Sequence, residues 1–429
     1  MRFWLNTLNK EQKRTLLLAT LWLAAFFISL IAIKGSFLAD EYEFIYAAAR
    51  IHSFPDFWQV MNSKIGGDFF RPILYLSFIT DYWIYGLASW GYHLTNSILY
   101  ATTSCLITAS VWDLGKLYCE KKKKTTAINN SQSLNNLPFI ATLSGILFAL
   151  LPNHHETVTW LAGRTDLLAT LFYVAALYVY LRYLRVAISG IPNENKTKQK
   201  TQTILFMFLF CLFAALAYGA KEISITLIIV QIVIGGWYIF SNRGEKTKKN
   251  SIKLGLLFIL NSAIVVSYIV LRHHVIGYWV GGYITGGQSI FLNITPVAIK
   301  RWLLAPVLFA VYSVNYAYAF AVAQRFARLP LIFRDYTWFV ASIQYSIYVG
   351  ISFIVITFVW LTKRKRLISL SSAIIFAGAL FFFFFSIHRI FACVTFGGGF
   401  VIKHFLYLPS FAMAIFLSYF LFLKLHSSL

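Results

Sequence analysis

LPNHHETVTWLAGRTDLLATLFYVAALYVYLR, residues 151–182, decides how the chain is read. Its second half is apolar and long enough to enter a membrane as a helix. Its first half carries Asn153, His154, His155, Glu156, Arg164 and Asp166, six strongly polar side chains within fourteen positions. Another apolar run, 137–152, ends where this string begins. A polar bridge therefore joins two segments that each seek hydrocarbon.

The same alternation runs through the chain. Of 429 residues 59% are hydrophobic, 18% aromatic and only 12% charged, where a soluble domain carries about 25% charge. Mean hydropathy is +0.68. Apolar runs near the length that spans hydrocarbon recur at 15–37, 93–113, 137–152, 165–185, 203–220, 223–240, 254–272, 338–361, 367–388 and 405–424. This is the pattern of an all-α polytopic membrane protein, read as one transmembrane domain over 1–429. The run at 15–37 is too long for a signal-peptide core and lacks a small-residue cleavage site, so it is expected to stay as the first span. Cys105, Cys119, Cys211 and Cys393 are scattered, which suggests neither a disulfide framework nor a zinc site.

The net charge of +23 does not imply a nucleic-acid partner, because of where it lies. Residues 1–14, 116–124, 182–200, 243–253, 363–366 and Lys424 hold 24 of the 38 basic residues and, with Asp113, 5 of the 15 acids. The positive-inside rule places these loops and both termini in the cytoplasm. Two stretches fit no full crossing: 72–90, with Asp81 in mid-run, and 297–322, with Pro306 and Asn315 inside. Both are read as interfacial or re-entrant helices on the outer side. The outer face then holds the loops 38–92 and 273–337, ten of the fifteen acids and eight of the nine histidines. A transporter places ionisable groups near the midplane, often beside broken helices. Chemistry gathered at one rim instead favours an enzyme at the outer membrane surface over a lipid-linked-sugar flippase or transporter. A non-catalytic membrane subunit would share the same hydropathy.

Four blocks in order carry a resemblance. FFRPILYLSFITDYWIYGLASWGYHLTNSILY (69–100), the opening string, ALAYGAKEISITL (215–227) and FLYLPS (405–410) resemble the signature blocks of the tetratricopeptide-associated, protein O-mannosyltransferase-like membrane glycosyltransferases. That resemblance covers about residues 35–410. It implies a GT-C-type bundle of about 10–12 transmembrane helices whose first outer loop contains interfacial helices. It also implies transfer of a mannose-like hexose or other sugar from a polyprenyl-phosphate donor to a hydroxyl of protein Ser/Thr, lipid or glycan, with inversion, on the outer face. Membrane lipids are the remaining expected partner, and a bacterial inner membrane, with the site facing the periplasm or exterior, the expected setting. Two departures stand out. Lys403 and His404 occupy the place where relatives often carry Glu-Arg, and the chain stops at Leu429 without a tetratricopeptide array. A protein-binding module is therefore expected on a separate polypeptide.

The resemblance assigns the acidic pair Asp40 and Glu41 to catalysis, although interfacial acids ending a helix would look the same. Asp40 is the expected base, and Glu41 holds the acceptor or makes its neighbour more basic by like-charge repulsion. A leaving phosphate needs cations. Arg71, Arg164, Lys221 and Lys403 are the expected donor-phosphate contacts, and Lys221 could equally pair with the adjacent Glu222. His93, His154, His155, Glu156, Asp166, Glu222 and His404 are expected to position donor or acceptor. Part of the opening string is equally read as architecture: Asn153 with Glu156 fits a capping box, Gly163 a helix terminator, and Thr165 a cap for the next helix with Asp166 at its positive end. Adjacent histidines diverge on a helix, so one of His154 and His155 would face the sugar phosphate and the other pack. No cofactor is expected. A divalent ion on His154, His155, Glu156 and Asp40 remains the alternative, without diagnostic spacing.

Overall fold

A computed structural model describes residues 10–38, 40–64, 69–125, 131–151, 154–189, 196–240, 246–277 and 279, with seven positions between 407 and 418. The chain divides into two compact units, Met1–Ala149 with Thr157–Thr285 and Leu150–Glu156 with Gly286–Leu429. No β-strand element occurs among the described residues, and the protein is an all-α polytopic membrane protein. The expected segments at 297–322, 338–361 and 367–388 lie outside the described residues, as does all but a few positions of 405–424.

In the first unit α1 (Lys10–Ser29) continues as a 3-10 turn, Leu30–Lys34. The loop expected to carry catalysis then folds into three short helices, α2 (Glu41–Ala49), α3 (Phe54–Met61) and α4 (Pro72–Tyr85). Local chemistry sets their limits. Ser53, extended at the start of α3, accepts from the Asp56 N–H at 3.3 Å, with Pro55 in the first turn. Pro72 opens α4. Gly86 closes it at φ +58°, a conformation that strains any other residue, with its N–H on the Tyr82 carbonyl.

Five segments are long and apolar enough to cross a membrane: Glu11–Lys34, Leu161–Val186, Thr197–Ala220, Glu222–Ile239 and Ser251–Ile276. They correspond to α1, α8 (Arg164–Tyr183), α9 (Lys196–Ala220), α10 (Leu227–Phe240, entered through a 3-10 turn Glu222–Thr226) and α11 (Lys246–Ile276), once α5 (Ser89–Thr125), α6 (Ser131–Leu150) and α7 (His154–Thr159) are counted. The span expected at 93–113 lies in α5 but is less apolar, because Asn96, Thr103, Ser104, Thr108, Ser110 and Asp113 are all buried along it. Four of those hydroxyls donate to the carbonyl one turn back, which satisfies them inside an apolar bundle.

The unit is organised around α8, packed between α9 and α5. Its span is 78% buried, against 22% for that of α1. The α8 span is also the least apolar of the five and that of α1 the most, the order expected when the solvent outside the bundle is itself apolar. Polar cross-links hold the bundle where the hydrophobic effect does little between helices. Tyr218 donates to the Asn261 carbonyl oxygen at 2.6 Å, and the Asn261 amide donates to Gln231 at 2.8 Å, tying α9, α11 and α10 together without a charge.

The basic ends also meet. Buried Asp113 of α5 has Arg14 of α1 at 3.7 Å, and at 3.8 and 2.9 Å Arg182 and Arg185 from the end of α8 and the π-helical turn after it, Leu184–Ser189. Segments assigned to the cytoplasm by charge thus converge at one end. A single cysteine at Ser63 should therefore react with an impermeant thiol reagent on intact cells and one at Lys123 should not. Protection at Ser63 with labelling at Lys123 would reverse the orientation.

Candidate functional site

The opposite end of the first unit assembles the polar blocks. Arg164, at the first residue of α8, is fully buried. Its Nη1 lies 2.6 Å from Asp81 of α4, Nε donates to Asn96 Oδ1 at 2.7 Å and Nη2 to the Tyr92 carbonyl at 2.8 Å. Its guanidinium stacks 4.6 Å from the Phe78 ring centroid. Thr95 donates to the other Asp81 oxygen at 2.8 Å, and the Asn96 amide to the Val158 carbonyl at 3.1 Å. The expected phosphate contact is thus an arginine that joins three helices. A phosphate could reach it only by displacing Asp81.

Glu41 is equally internal. Its Oε2 accepts from the Leu38 N–H at 2.7 Å and its Oε1 from the Leu161 N–H at 2.6 Å. Burial pushes this carboxyl above its ordinary value, against the pull of the backbone N–H groups. The carboxylate latches the loop around Leu38 to the turn before α8. Asp40, one residue earlier, is exposed at the start of α2.

A second ionic group lies alongside. Lys221 Nζ contacts both oxygens of Asp166 at 2.7 Å, and Arg71 Nη2 donates to Glu222 Oε2 at 3.2 Å. The neighbours Lys221 and Glu222 thus each take a partner from another segment. The backbone at Lys221 is extended, φ −160° and ψ 139°, which turns consecutive side chains apart and gives each a partner across the bundle. Burial pushes the Lys221 ammonium below its ordinary value while Asp166 draws it back. Arg71 also lies 4.1 Å from the Phe69 ring centroid. On α11, Tyr268 donates to the Phe70 carbonyl at 3.2 Å, and one turn on Arg272 is close enough to Glu222 for their charges to interact. Among the described residues, the buried cations Arg71, Lys221 and Arg272 lie with the carboxylates Asp166 and Glu222.

Two architectural readings of the opening string, at Gly163 and Thr165, are corrected. Gly163 is right-handed helical, φ −64° and ψ −10°, and does not terminate a helix. It lies in a 3-10 turn, Leu161–Gly163, that runs straight into α8, and a Cβ there would meet the Thr157 backbone at 3.2 Å. The glycine permits close approach of two turns. Thr165 does not cap α8; its hydroxyl donates to the Ala220 carbonyl at 2.8 Å, tying α8 to α9. Asp166 does sit in the first turn. The proposed capping partner Asn153 lies outside the described residues, as do the side chains of His155 and Glu156.

His93 is buried against Gly35, and neither ring nitrogen has a hydrogen-bond partner among the described residues. In the second unit, His154 is buried, with its Nε2 2.6 Å from the Ser410 hydroxyl and its ring 4.6 Å from that of Tyr407. Two sequence blocks far apart in the chain meet there. Lys403 and His404 lie outside the described residues. No group of three His, Cys, Asp or Glu among the described residues is placed to hold a metal ion.

The chain has relatives in sequence. Over 248 residues, 55% of this chain, identity is 29% with protein O-mannosyl-transferase Tmtc2 of Drosophila melanogaster, and over 177 residues, 41% of the chain, 30% with Tmtc3 of the same fly. TMTC4 of Mus musculus is 29% identical over 178 residues. By sequence the chain is related to the protein O-mannosyl-transferases. The matches span 23%, 18% and 22% of the lengths of those relatives, about a fifth of each. No family model and no solved structure matches the chain. The O-mannosyl-transferase relatives are animal proteins and give no support to the expected bacterial inner membrane, whereas the multi-pass membrane setting stands.

Proposed function

We propose that the chain is an inverting glycosyltransferase of GT-C type that moves a hexose from a polyprenyl-phosphate donor to a hydroxyl acceptor on the non-cytoplasmic face. The names of the relatives favour a protein Ser or Thr as acceptor and a mannose-like sugar. One observation carries the reading: Asp40 is exposed while Glu41, the next residue, is locked to Leu161. A general base must be reachable by its substrate and carried on an anchored backbone, and an exposed Asp40 next to the Glu41 latch supports both. Asp40 takes the acceptor hydroxyl proton as the oxygen attacks the anomeric carbon. The bond to the donor phosphate breaks with its electron pair leaving on phosphate, and the buried cations Arg71, Lys221 and Arg272 stabilise that charge. Glu41, Asp81 and Arg164 are positioning residues. The proposal includes no metal.

Donor use tests the cations. Arg71→Ala should weaken it about tenfold to a hundredfold, the worth of one charge-assisted phosphate contact, and Arg71→Lys should restore only part. Removing Arg71 also takes from Glu222 its hydrogen-bonded cation, so Glu222→Gln is the control. It abolishes the ion pair but keeps the guanidinium, and donor affinity measured with purified protein in detergent should survive. Equal loss in both variants would make Arg71 structural and remove it from the donor site.

A further inference from the structure

Among the described residues, the far end of the first unit draws three guanidiniums to one carboxylate. Among the described residues Asp113 forms a hydrogen bond with Arg185 alone, at 2.9 Å. Arg14 and Arg182 approach its other oxygen at 3.7 and 3.8 Å, drawn in but outside hydrogen-bond distance. Both stay partly exposed, with 19% and 34% of their side chains accessible, while Asp113 has no accessible surface. Trp112, adjacent in α5, has the Arg14 guanidinium 5.4 Å and the Lys116 ammonium 5.7 Å from its ring centroid. Arg182 leans towards the Phe206 ring of α9 at 5.9 Å. Three guanidiniums thus surround one buried carboxylate, with an ammonium over the adjoining Trp112 ring, in a niche shared by α1, α5, α8 and α9.

Two further features distinguish this niche from a collar of solvated side chains. The chain widens into a π-helical turn at Leu184–Ser189, directly after α8, which sets Arg185 beside Arg182 on the same carboxylate. Such turns are rare and concentrate at functional positions. The niche also sits where apolar spans begin and end, Arg14 near the start of Glu11–Lys34 and Arg182 near the end of Leu161–Val186. That is the depth of lipid headgroups, on the side that the basic loops assign to the cytoplasm, where the leaflet is negatively charged.

We infer that Arg14, Arg182 and Lys116, around Asp113 and Trp112, form a binding site for the headgroup phosphate of an anionic phospholipid. Asp113 and Arg185 preorganise the pocket, and Arg14 and Arg182 offer their remaining N–H donors to the phosphate oxygens. The site lies at the opposite end of the unit from Asp40 and Arg71 and does not depend on glycosyl transfer.

The test uses the full chain in neutral detergent, with thermal unfolding followed while phosphatidylserine, phosphatidylcholine or inorganic phosphate is added. Phosphatidylserine should stabilise at a concentration about tenfold lower than phosphatidylcholine, and R14Q/R182Q should weaken its effect about tenfold to a hundredfold. R14K/R182K keeps the charge and should bind phosphatidylserine more tightly than the glutamine variant. Equal stabilisation by the two lipids, or an unchanged R14Q/R182Q, overturns the proposal. Inorganic phosphate that reproduces the effect at millimolar concentration assigns the niche to a free anion and overturns the lipid. If R14Q/R182Q does not fold, K116Q at the rim replaces it, with a loss of about threefold expected and an unchanged response counting against the site.

Discussion

Asp40→Asn should lower sugar transfer by about 10²–10⁴-fold, the usual contribution of a general base, while thermal stability and donor binding stay at wild-type values. The amide keeps the shape and removes the basicity. Because Asp40 is exposed and ends no hydrogen-bond network in the bundle, its loss should leave the fold untouched. Glu41→Gln should behave in the opposite way. One amide oxygen can still accept from Leu161 or from Leu38 but not serve both N–H groups, so the latch weakens and stability falls with activity. The measurement is transfer from a defined polyprenyl-phosphate sugar by purified variants, beside a donor-binding assay. Wild-type turnover in Asp40→Asn with an inactive but stably folded Glu41→Gln would reverse the two roles. Full activity in both would move catalysis away from the first outer loop.

The largest effect on stability is expected at the pair buried beneath that loop. Asp81→Ala leaves the Arg164 guanidinium without its counter-charge in a place no water reaches. Breaking a buried pair from one side costs about 3–5 kcal/mol, whereas replacing both partners by apolar residues of similar volume is often near neutral. Asp81→Ala and Arg164→Ala should each lower the thermal midpoint sharply in detergent, and Asp81→Leu/Arg164→Met should recover most of the loss. Had Arg164 been a donor contact only, its alanine variant would unfold like the wild type and fail in donor binding.

The contrast between Arg164 and Arg71 shows what was legible in the sequence. Hydropathy placed α1, α8, α9, α10 and α11, because a membrane solvent demands long apolar runs. The polar blocks marked the segments that converge: Arg71, Arg164, Asp166, Lys221 and Glu222 do lie at one end of one unit. Their pairing was not legible. Lys221 and Glu222 are adjacent in the chain, yet each finds its partner on another helix, and only the extended backbone between them reveals this. Asp81 stood out solely as an acid within an apolar run. A signal was available, since a carboxylate there needs a cation, and an arginine heading a span is the natural candidate. The Tyr218–Asn261–Gln231 link carries no charge and gave no sequence signal at all.

The position of α8 at the centre of the unit has a consequence for biogenesis. Its first turn carries Arg164 and Asp166, whose partners lie on opposite sides of it in the order of synthesis. Asp81 has already left the ribosome when Arg164 emerges, so that pair can close as soon as α8 enters the bilayer. Asp166 must wait for Lys221, 55 residues later, roughly 3–11 s at ordinary rates of elongation. Through that interval α8 has one balanced charge and one unbalanced carboxylate at its leading turn. The helix that anchors the finished bundle is therefore the one whose insertion is completed by a later segment, and an arrest of translation between α8 and α9 would strand it half-neutralised in the membrane.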